Sequence, residues 1–272
     1  MVLSFITNDT AMAAAGESAG IERVLIDLER LGKAERQCGR RLFLSDHRLG
    51  DVRRMKQALG TADIMVRLDP LHAGSRWQID QVIRDGAAIV MLPWFHRLEQ
   101  AQEFIDLVEG RAAVALLVET PEAVAVLRSL CKLPGVAEIH VGLNDLSLAL
   151  NRPFLFDVIA DGTMDRICAI LRGSGVSFGF GGIGSLSRND LPIHPEWVLA
   201  EQVLQGATRG WLSRTFREVP NSRLFQEVQV LHSAIEFWKL AGPRQQAAIK
   251  ARLRREIRSV SSGMTRRVGV SA

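Results

Sequence analysis

The sequence predicts an α/β fold, specifically a (β/α)8 TIM barrel with extra C-terminal helices. Its 272 residues suit one barrel and are long for most other single domains. Hydrophobic residues make up 47% and charged residues 24%, so the chain can bury a large core. Short apolar runs alternate with stretches of helical periodicity, which is the element order of a parallel barrel. An open, doubly wound sheet is the alternative architecture.

The predicted strands are β-branched, apolar runs that end in polar residues or glycine. Their near-continuous hydrophobicity predicts parallel strands that are buried on both faces. In chain order they are Leu3–Thr7, Arg23–Leu28, Asp63–Leu68, Ala88–Leu92, Ala113–Val118, Glu138–Leu143, Ser177–Phe180 and Gly210–Ser213.

The predicted helices lie between these strands and have apolar residues at helical spacing. Thr120 and Pro121 are typical of an N-cap followed by a first-turn proline, and Gly86 and Gly206 lie where helix C-caps are expected. In chain order the helices are Thr10–Ala19, Asp51–Gly60, Ile79–Gly86, Leu98–Val108, Pro121–Leu130, Met164–Gly173 and Pro195–Gly206.

The chain divides into a barrel over residues 1–220, a helical extension over 221–258 and a basic tail over 259–272. Ser222–Leu240 and Ala247–Ile257 have helical periodicity and form the extension. From Pro243 onward there are eight basic residues and one acidic residue, and the tail itself predicts disorder because it lacks an apolar period. This basic end has neither interleaved aromatic residues nor a nucleic-acid motif, which argues against a nucleic-acid partner.

The composition excludes several other classes of protein. No apolar run approaches the roughly 20 residues that a membrane helix needs, so we expect a cytoplasmic protein without a membrane partner. The cysteines Cys38, Cys131 and Cys168 are odd in number and unclustered, which argues against a disulfide framework and a structural zinc site.

Polar residues collect at the predicted strand ends, where TIM barrels carry their active sites. Glu119 and Asp145 follow neighbouring strands and together predict an oxygen-ligand site for Mg²⁺ or Mn²⁺, unless they only serve the helices that follow. Arg67 ends an apolar strand and needs an anion, because an unpaired buried guanidinium is costly. That anion is a substrate carboxylate or an ion-pair partner, Asp27 or Glu29, on the adjacent strand.

Two further segments are candidates for substrate contact. Gly181 and Gly182 follow the seventh strand and leave room for an oxyanion, although glycines also make tight turns without any ligand. Gly32–Gly50 is rich in Lys, Arg and His and is either a solvated loop or a cover over the site. In the second case it favours an anionic or sugar-acid distal part of the substrate, and His47 becomes a proton-transfer group whose pKa a nearby acid raises.

Five strand-end motifs in this order resemble the metal-dependent HpcH/HpaI aldolase and citrate lyase β-subunit family. They are Leu25–Glu29, Met65–Arg67, Gly86–Pro93, Leu117–Thr120 and Glu138–Ser147. The resemblance spans about Ser4 to Phe216 and implies a barrel with a divalent cation on Glu119 and Asp145. It also implies that Arg67 holds the carboxylate of a pyruvate-like group and that the chain forms a homo-oligomer.

This sequence departs from the family at the proton-transfer pair. The expected histidine and aspartate positions hold Arg30 and Ser75, and a glutamine expected before the metal-binding glutamate is Leu117. We therefore expect a divergent carbon–carbon lyase or aldolase that acts on a 2-oxo acid, with Arg67, His47, Glu29 and Asp27 as candidate catalytic residues and Asn144 near the substrate. An acyl-thioester lyase of the citrate lyase type and a metabolite-binding barrel without turnover are the alternatives.

Overall fold

The structure, a computed structural model, describes residues 1–36 and 45–269. Cys38, Arg40 and Arg41 lie outside these residues, as does the rest of the segment 37–44. All strand pairs are parallel, and the order β7-β6-β5-β4-β3-β2-β1-β9-β8 gives a barrel wall. The strands are β1 Val2–Ile6, β2 Arg23–Asp27, β3 Asp63–Arg67, β4 Ile89–Leu92, β5 Ala113–Val118, β6 Val136–Val141, β7 Ser177–Phe180, β8 Gly182–Ile183 and β9 Arg209–Leu212.

The barrel closes through the pair β7 and β8, which only Gly181 separates. β7 pairs with β6 on one side, while β8 pairs with β9 on the other. The amide of Thr208 also donates to the carbonyl of Phe178 at 2.8 Å. A Cβ atom on Gly179 would lie 2.3 Å from the carbonyl oxygen of Arg209, so this close approach of the two strands requires glycine. All eight predicted strands are confirmed, and β8 is an additional short strand in the glycine-rich segment that the sequence predicts as a loop.

Helices cover the outside of the wall and confirm the predicted alternation, with short additional helices in the loops. The helices are α1 Thr10–Ser18, α2 Lys33–Arg36, α3 Leu49–Ala58, α4 Ser75–Arg84, α5 Leu98–Val108, α6 Pro121–Ala125, α7 Leu127–Leu130, α8 Leu143–Ala149, α9 Asp157–Ala160, α10 Thr163–Ser174, α11 Pro195–Leu204, α12 Asn221–Leu240 and α13 Pro243–Gly269. A 3₁₀ helix, Arg214–Glu218, follows β9. None of the described helices is both long and apolar enough to cross a bilayer.

The C-terminal helix differs from the prediction of disorder after Ser259. α13 continues to Gly269, because Val260 and Met264 pack against the main core together with the fully buried Leu253 and Ile257. The hydroxyl of Ser261 donates to Asp157 at 3.0 Å. The apolar period of this helix therefore extends past the point where arginine and serine begin to dominate the sequence.

Alternation along the strands decides which side chains enter the barrel. On β2, Val24 and Ile26 pack outward against the helices, while Leu25 belongs to a separate apolar cluster inside the barrel. Asp27 therefore faces the interior at the carboxyl end of its strand. Arg67 and Glu119 also face the interior, because each follows by two residues an interior residue of its strand, Met65 on β3 and Leu117 on β5. This alternation brings the predicted site residues to one end of the barrel.

Candidate active site

A cavity of about 450 Å³ opens at the carboxyl ends of the barrel strands. The sequence-predicted site residues that line it come from the ends of five strands, β2, β3, β5, β6 and β7. The predicted site residues that line it are Asp27, Arg67, Glu119, Asn144, Asp145, Gly181 and Gly182. Glu29 and His47 are also buried, but they contact residues of the site instead of lining the cavity.

Asp27 is the centre of a hydrogen-bond cluster at this end. Its carboxylate accepts from Arg67 Nε at 2.8 Å and Nη2 at 2.7 Å, and it also accepts from Lys33 Nζ at 3.1 Å and Ser45 Oγ at 2.9 Å. Burial opposes ionisation of Asp27, but the charges and hydrogen bonds of Arg67 and Lys33 outweigh burial and hold its pKa well below the usual range. The ion pair that the sequence left open for Arg67 therefore forms.

Glu29 completes this cluster from just beyond β2. Lys33 Nζ lies 2.9 Å from its Oε2 atom, and Arg67 Nε lies 3.4 Å from the same oxygen. Arg36 donates to the other oxygen of Glu29. Lys33 is 1% exposed, so a lysine inside the site is held entirely by two carboxylates.

Glu119 has little positive charge around it. Burial raises its pKa well above the usual range, the charges of Glu29 and Asp145 raise it further, and Arg67 only partly opposes them. Its Oε1 atom accepts from the amide of Trp94 at 3.0 Å, and Trp94 has a left-handed φ of 45° that is rare for a bulky residue. The carboxylate is thus fixed by the Trp94 amide in surroundings that compensate its negative charge poorly, and it could act as a ligand of a cation.

Asp145 lies in the first turn of α8, and Asn144 Nδ2 donates to its Oδ1 atom at 2.9 Å. The N-cap of α6 is Thr120, which accepts from Ala123, so Glu119 is not needed to cap that helix. Among the described residues there is no group of three or more His, Cys, Asp and Glu side chains that could hold a metal. Two carboxylates are the set that Mg²⁺ accepts when water and substrate fill its remaining positions.

His47 does not have the environment that the sequence predicts. Its Nδ1 atom accepts from the amide of Asp27 at 2.9 Å, so the neutral ring carries its hydrogen on Nε2. Burial lowers the pKa of His47, and the charges of Asp27 and Asp46 only partly oppose this effect. The predicted raised pKa is therefore wrong, because desolvation outweighs the nearby acids.

Sequence reasoning missed two residues of the site. It treated Lys33 only as part of a basic stretch, although the four-residue spacing from Glu29 is that of an ion pair on a helix. It did not consider Trp94, whose ring packs under the guanidinium of Arg36 at 4.2 Å. No pattern in the sequence indicates the left-handed backbone of Trp94.

Proteins similar to the whole chain are found among solved structures, not by comparison of whole sequences. No protein-family model matches it, and no curated protein matches it. A solved HpcH/HpaI aldolase/citrate lyase family protein from Burkholderia cenocepacia is 16% identical, with a TM-score of 0.59 over 84% of this chain and 94% of that chain. This chain resembles the HpcH/HpaI aldolase and citrate lyase proteins in fold.

Two further solved structures give the same picture. The citrate synthase SbnG is 17% identical, with a TM-score of 0.57 over 86% of this chain and 93% of that chain. A citrate lyase from Burkholderia xenovorans is 15% identical, with a TM-score of 0.55 over 95% of this chain and 92% of that chain. At such identities the similarity establishes the shared barrel, and the chemistry has to be argued from the residues of this chain.

Proposed function

We propose that this protein is a divalent-metal-dependent carbon–carbon lyase or aldolase that acts on a substrate with a 2-oxo-acid group. One observation carries the proposal. Arg67, which is paired with Asp27, lines the same cavity as the carboxylates Glu119 and Asp145, at the carboxyl ends of the barrel strands. The charge of Asp145 contributes to the raised pKa of Glu119. The fold shared with aldolase and lyase proteins supports it.

Glu119 and Asp145 would hold the cation. When bound, a divalent cation supplies the Lewis acid that stabilises an enolate derived from the 2-oxo acid. The amide of Trp94 fixes one oxygen of Glu119, so that carboxylate is oriented before the cation arrives. Burial and the charges of Glu29 and Asp145 raise the pKa of Glu119, so a cation bound to this carboxylate would offset the cost of its negative charge.

Arg67 would bind the carboxylate of the substrate. Asp27 occupies the side of the guanidinium formed by Nε and Nη2, which leaves the end formed by Nη1 and Nη2 to face an anion in the cavity. Asp27 and Glu29 thus orient Arg67. The two carboxylates carry two negative charges, and Lys33, which contacts both, balances the one that Arg67 does not. Gly181 and Gly182 also line the cavity, but a Cβ atom on Gly181 would lie 2.7 Å from Leu143 Cδ1 and one on Gly182 would lie 3.3 Å from Ser213 Cβ, so the missing side chains make room for these neighbours.

Exchange of the methyl hydrogens of pyruvate with D₂O tests this function without any knowledge of the acceptor. Followed by NMR, exchange should require Mg²⁺ or Mn²⁺ and should be lost in Glu119→Gln and Asp145→Asn, each of which should also bind Mg²⁺ weakly by calorimetry. Glu122→Gln is the matched control, because Glu122 is three residues away with an exposed side chain that contacts His96 outside the cavity.

The two alternatives predict different results. Tight, metal-dependent binding of pyruvate or oxalate without exchange would favour a metabolite-binding barrel. Absence of pyruvate exchange, together with metal-dependent cleavage of a 3-hydroxyacyl thioester such as a citryl thioester into an acyl thioester and a 2-oxo acid, would favour the citrate lyase type of reaction. Exchange that persists in both carboxylate variants would refute the proposed metal site.

A further inference from the structure

We infer that the part of the substrate beyond the 2-oxo-acid group is apolar, an alkyl or aryl chain. The inference rests on the proposed function and concerns the same cavity. It is drawn from a wall of hydrophobic side chains in this cavity, which two loops and two helices supply.

This wall consists of hydrophobic side chains from separate parts of the chain. Residues 154–156, in the loop between α8 and α9, contribute Phe154, Leu155 and Phe156, and the two phenyl rings pack edge to face with centroids 5.3 Å apart. Residues 191–193, before α11, contribute a leucine, a proline and an isoleucine. Val198 on α11 and Leu143 at the start of α8 complete it.

The loop before α11 is held closely against the barrel. Leu191 and Pro195 lie so near Gly184 that a Cβ atom there would be 3.2 Å from the leucine and 3.1 Å from the proline. Ile193 and Pro195 are buried. The apolar surface is therefore part of the packed structure and is already formed around the cavity.

Most of the charged residues that line the cavity already have a partner or a proposed role. Asp27, Lys33 and Arg67 are bound to one another, and Glu119 and Asp145 form the proposed cation site. In the described part of the chain, the remaining charged residue that lines the cavity is Arg214, beyond β9. A terminal carboxylate placed against the hydrophobic wall would lose its hydration, whereas an alkyl chain would gain by leaving water.

This differs from the anionic or sugar-acid distal part that the basic stretch Gly32–Gly50 favoured. Two of the cations in that stretch, Lys33 and Arg36, are bound to Glu29 and so do not extend toward a distal group. Arg40 and Arg41 lie outside the described residues.

Two six-carbon 2-oxo acids test the inference by binding alone. 2-Oxohexanoate and 2-oxoadipate have the same chain length and differ only in the terminal methyl or carboxylate. Titrated calorimetrically into the Mg²⁺-loaded protein, 2-oxohexanoate should bind about ten-fold more tightly or better than 2-oxoadipate, as expected for burial of a short alkyl chain. Pyruvate reports the 2-oxo-acid site itself.

Leu155→Arg places a cation in the wall and should reverse the preference toward 2-oxoadipate while pyruvate binding is retained. Leu240→Arg is the matched control, because Leu240 is 85% exposed on α12 and does not line the cavity. Wild-type protein that binds pyruvate but prefers 2-oxoadipate would overturn the inference and leave the proposed function standing. Absence of metal-dependent binding for all three acids would refute both.

Discussion

The Asp27 carboxylate accepts two hydrogen bonds from the Arg67 guanidinium, from Nε at 2.8 Å and from Nη2 at 2.7 Å, across register partners of β2 and β3. This contact fixes the plane of the guanidinium with one edge toward the protein and one end toward the cavity. The ion pair is therefore compatible with the proposed binding of a substrate carboxylate, which would use the donors of Arg67 that do not contact Asp27.

We expect Arg67→Lys to weaken binding of pyruvate or oxalate by roughly 1–3 kcal/mol in the Mg²⁺-loaded protein. Lysine keeps the charge and can contact Asp27, but it cannot present donors to both partners in one plane. Calorimetric titration measures the loss, with Arg53→Lys as control because Arg53 pairs with Asp85 on the surface. Unchanged affinity together with a lower melting temperature would make Arg67 a purely structural ion-pair partner.

His47 should act as a positioning residue, because its Nδ1 atom accepts the amide hydrogen of Asp27. His47→Leu leaves that buried amide without its acceptor, and we expect the free energy of unfolding to fall by about 1–3 kcal/mol. His47→Asn offers a carbonyl oxygen in nearly the same place and should restore part of both stability and pyruvate exchange. If His47 were a general base, both variants would lose pyruvate exchange to the same extent. The pH profile of exchange would then also lack the ionisation of the histidine that is seen in the wild type.

The sequence predicts the strands well, because runs of apolar residues are a local pattern. Which face of a strand enters the barrel does not follow from that pattern, because Val24, Leu25 and Ile26 are all apolar although only Leu25 belongs to the interior cluster. The metal-site candidates also follow directly, since residues after parallel strands meet at one end of a barrel.

Features that depend on tertiary packing could not be predicted in this way. The burial of Lys33 and the orientation of His47 are decided by contacts with Asp27, and no periodicity encodes them. The apolar wall combines residues 154–156 and 191–193, which are distant in the chain and look like ordinary loops. The composition of the basic stretch favours an anionic distal part of the substrate, whereas the apolar wall supports the alkyl or aryl chain that we propose.

A second buried histidine should make stability depend on pH. His140 lies inside the barrel, its ring stacks on Trp211 at 4.3 Å, and burial lowers its pKa to about 4 although the charge of Glu138 opposes this. In the unfolded chain the pKa is about 6.5, so between these values the unfolded state binds more protons. Acidification from pH 6.5 to 4 should therefore remove up to about 3 kcal/mol of the free energy of unfolding through His140.

His140→Phe isolates this effect, because it keeps an aromatic ring on Trp211 and removes the titrating nitrogens. Urea denaturation at several pH values should show a smaller loss of stability on acidification in the variant than in the wild type. Parallel pH curves for the two proteins would mean that His140 does not contribute.

Gly142 should control the position of Glu119. A Cβ atom on Gly142 would lie 2.6 Å from Glu119 Oε2 and 2.8 Å from its Cβ, so the glutamate must move if alanine is introduced. The backbone angles of Gly142, φ −81° and ψ 94°, are accessible to alanine, and the substitution therefore acts on the neighbour instead of straining the chain. We expect Gly142→Ala to weaken Mg²⁺ binding about ten-fold, or about 1.4 kcal/mol, because the displaced carboxylate also loses its alignment with the amide of Trp94.

Gly173→Ala in α10 is the control, since a Cβ atom there meets nothing within 4 Å, and it should leave metal affinity unchanged. Calorimetry with Mg²⁺ alone decides the matter, and wild-type affinity in Gly142→Ala would show that Glu119 does not hold the cation.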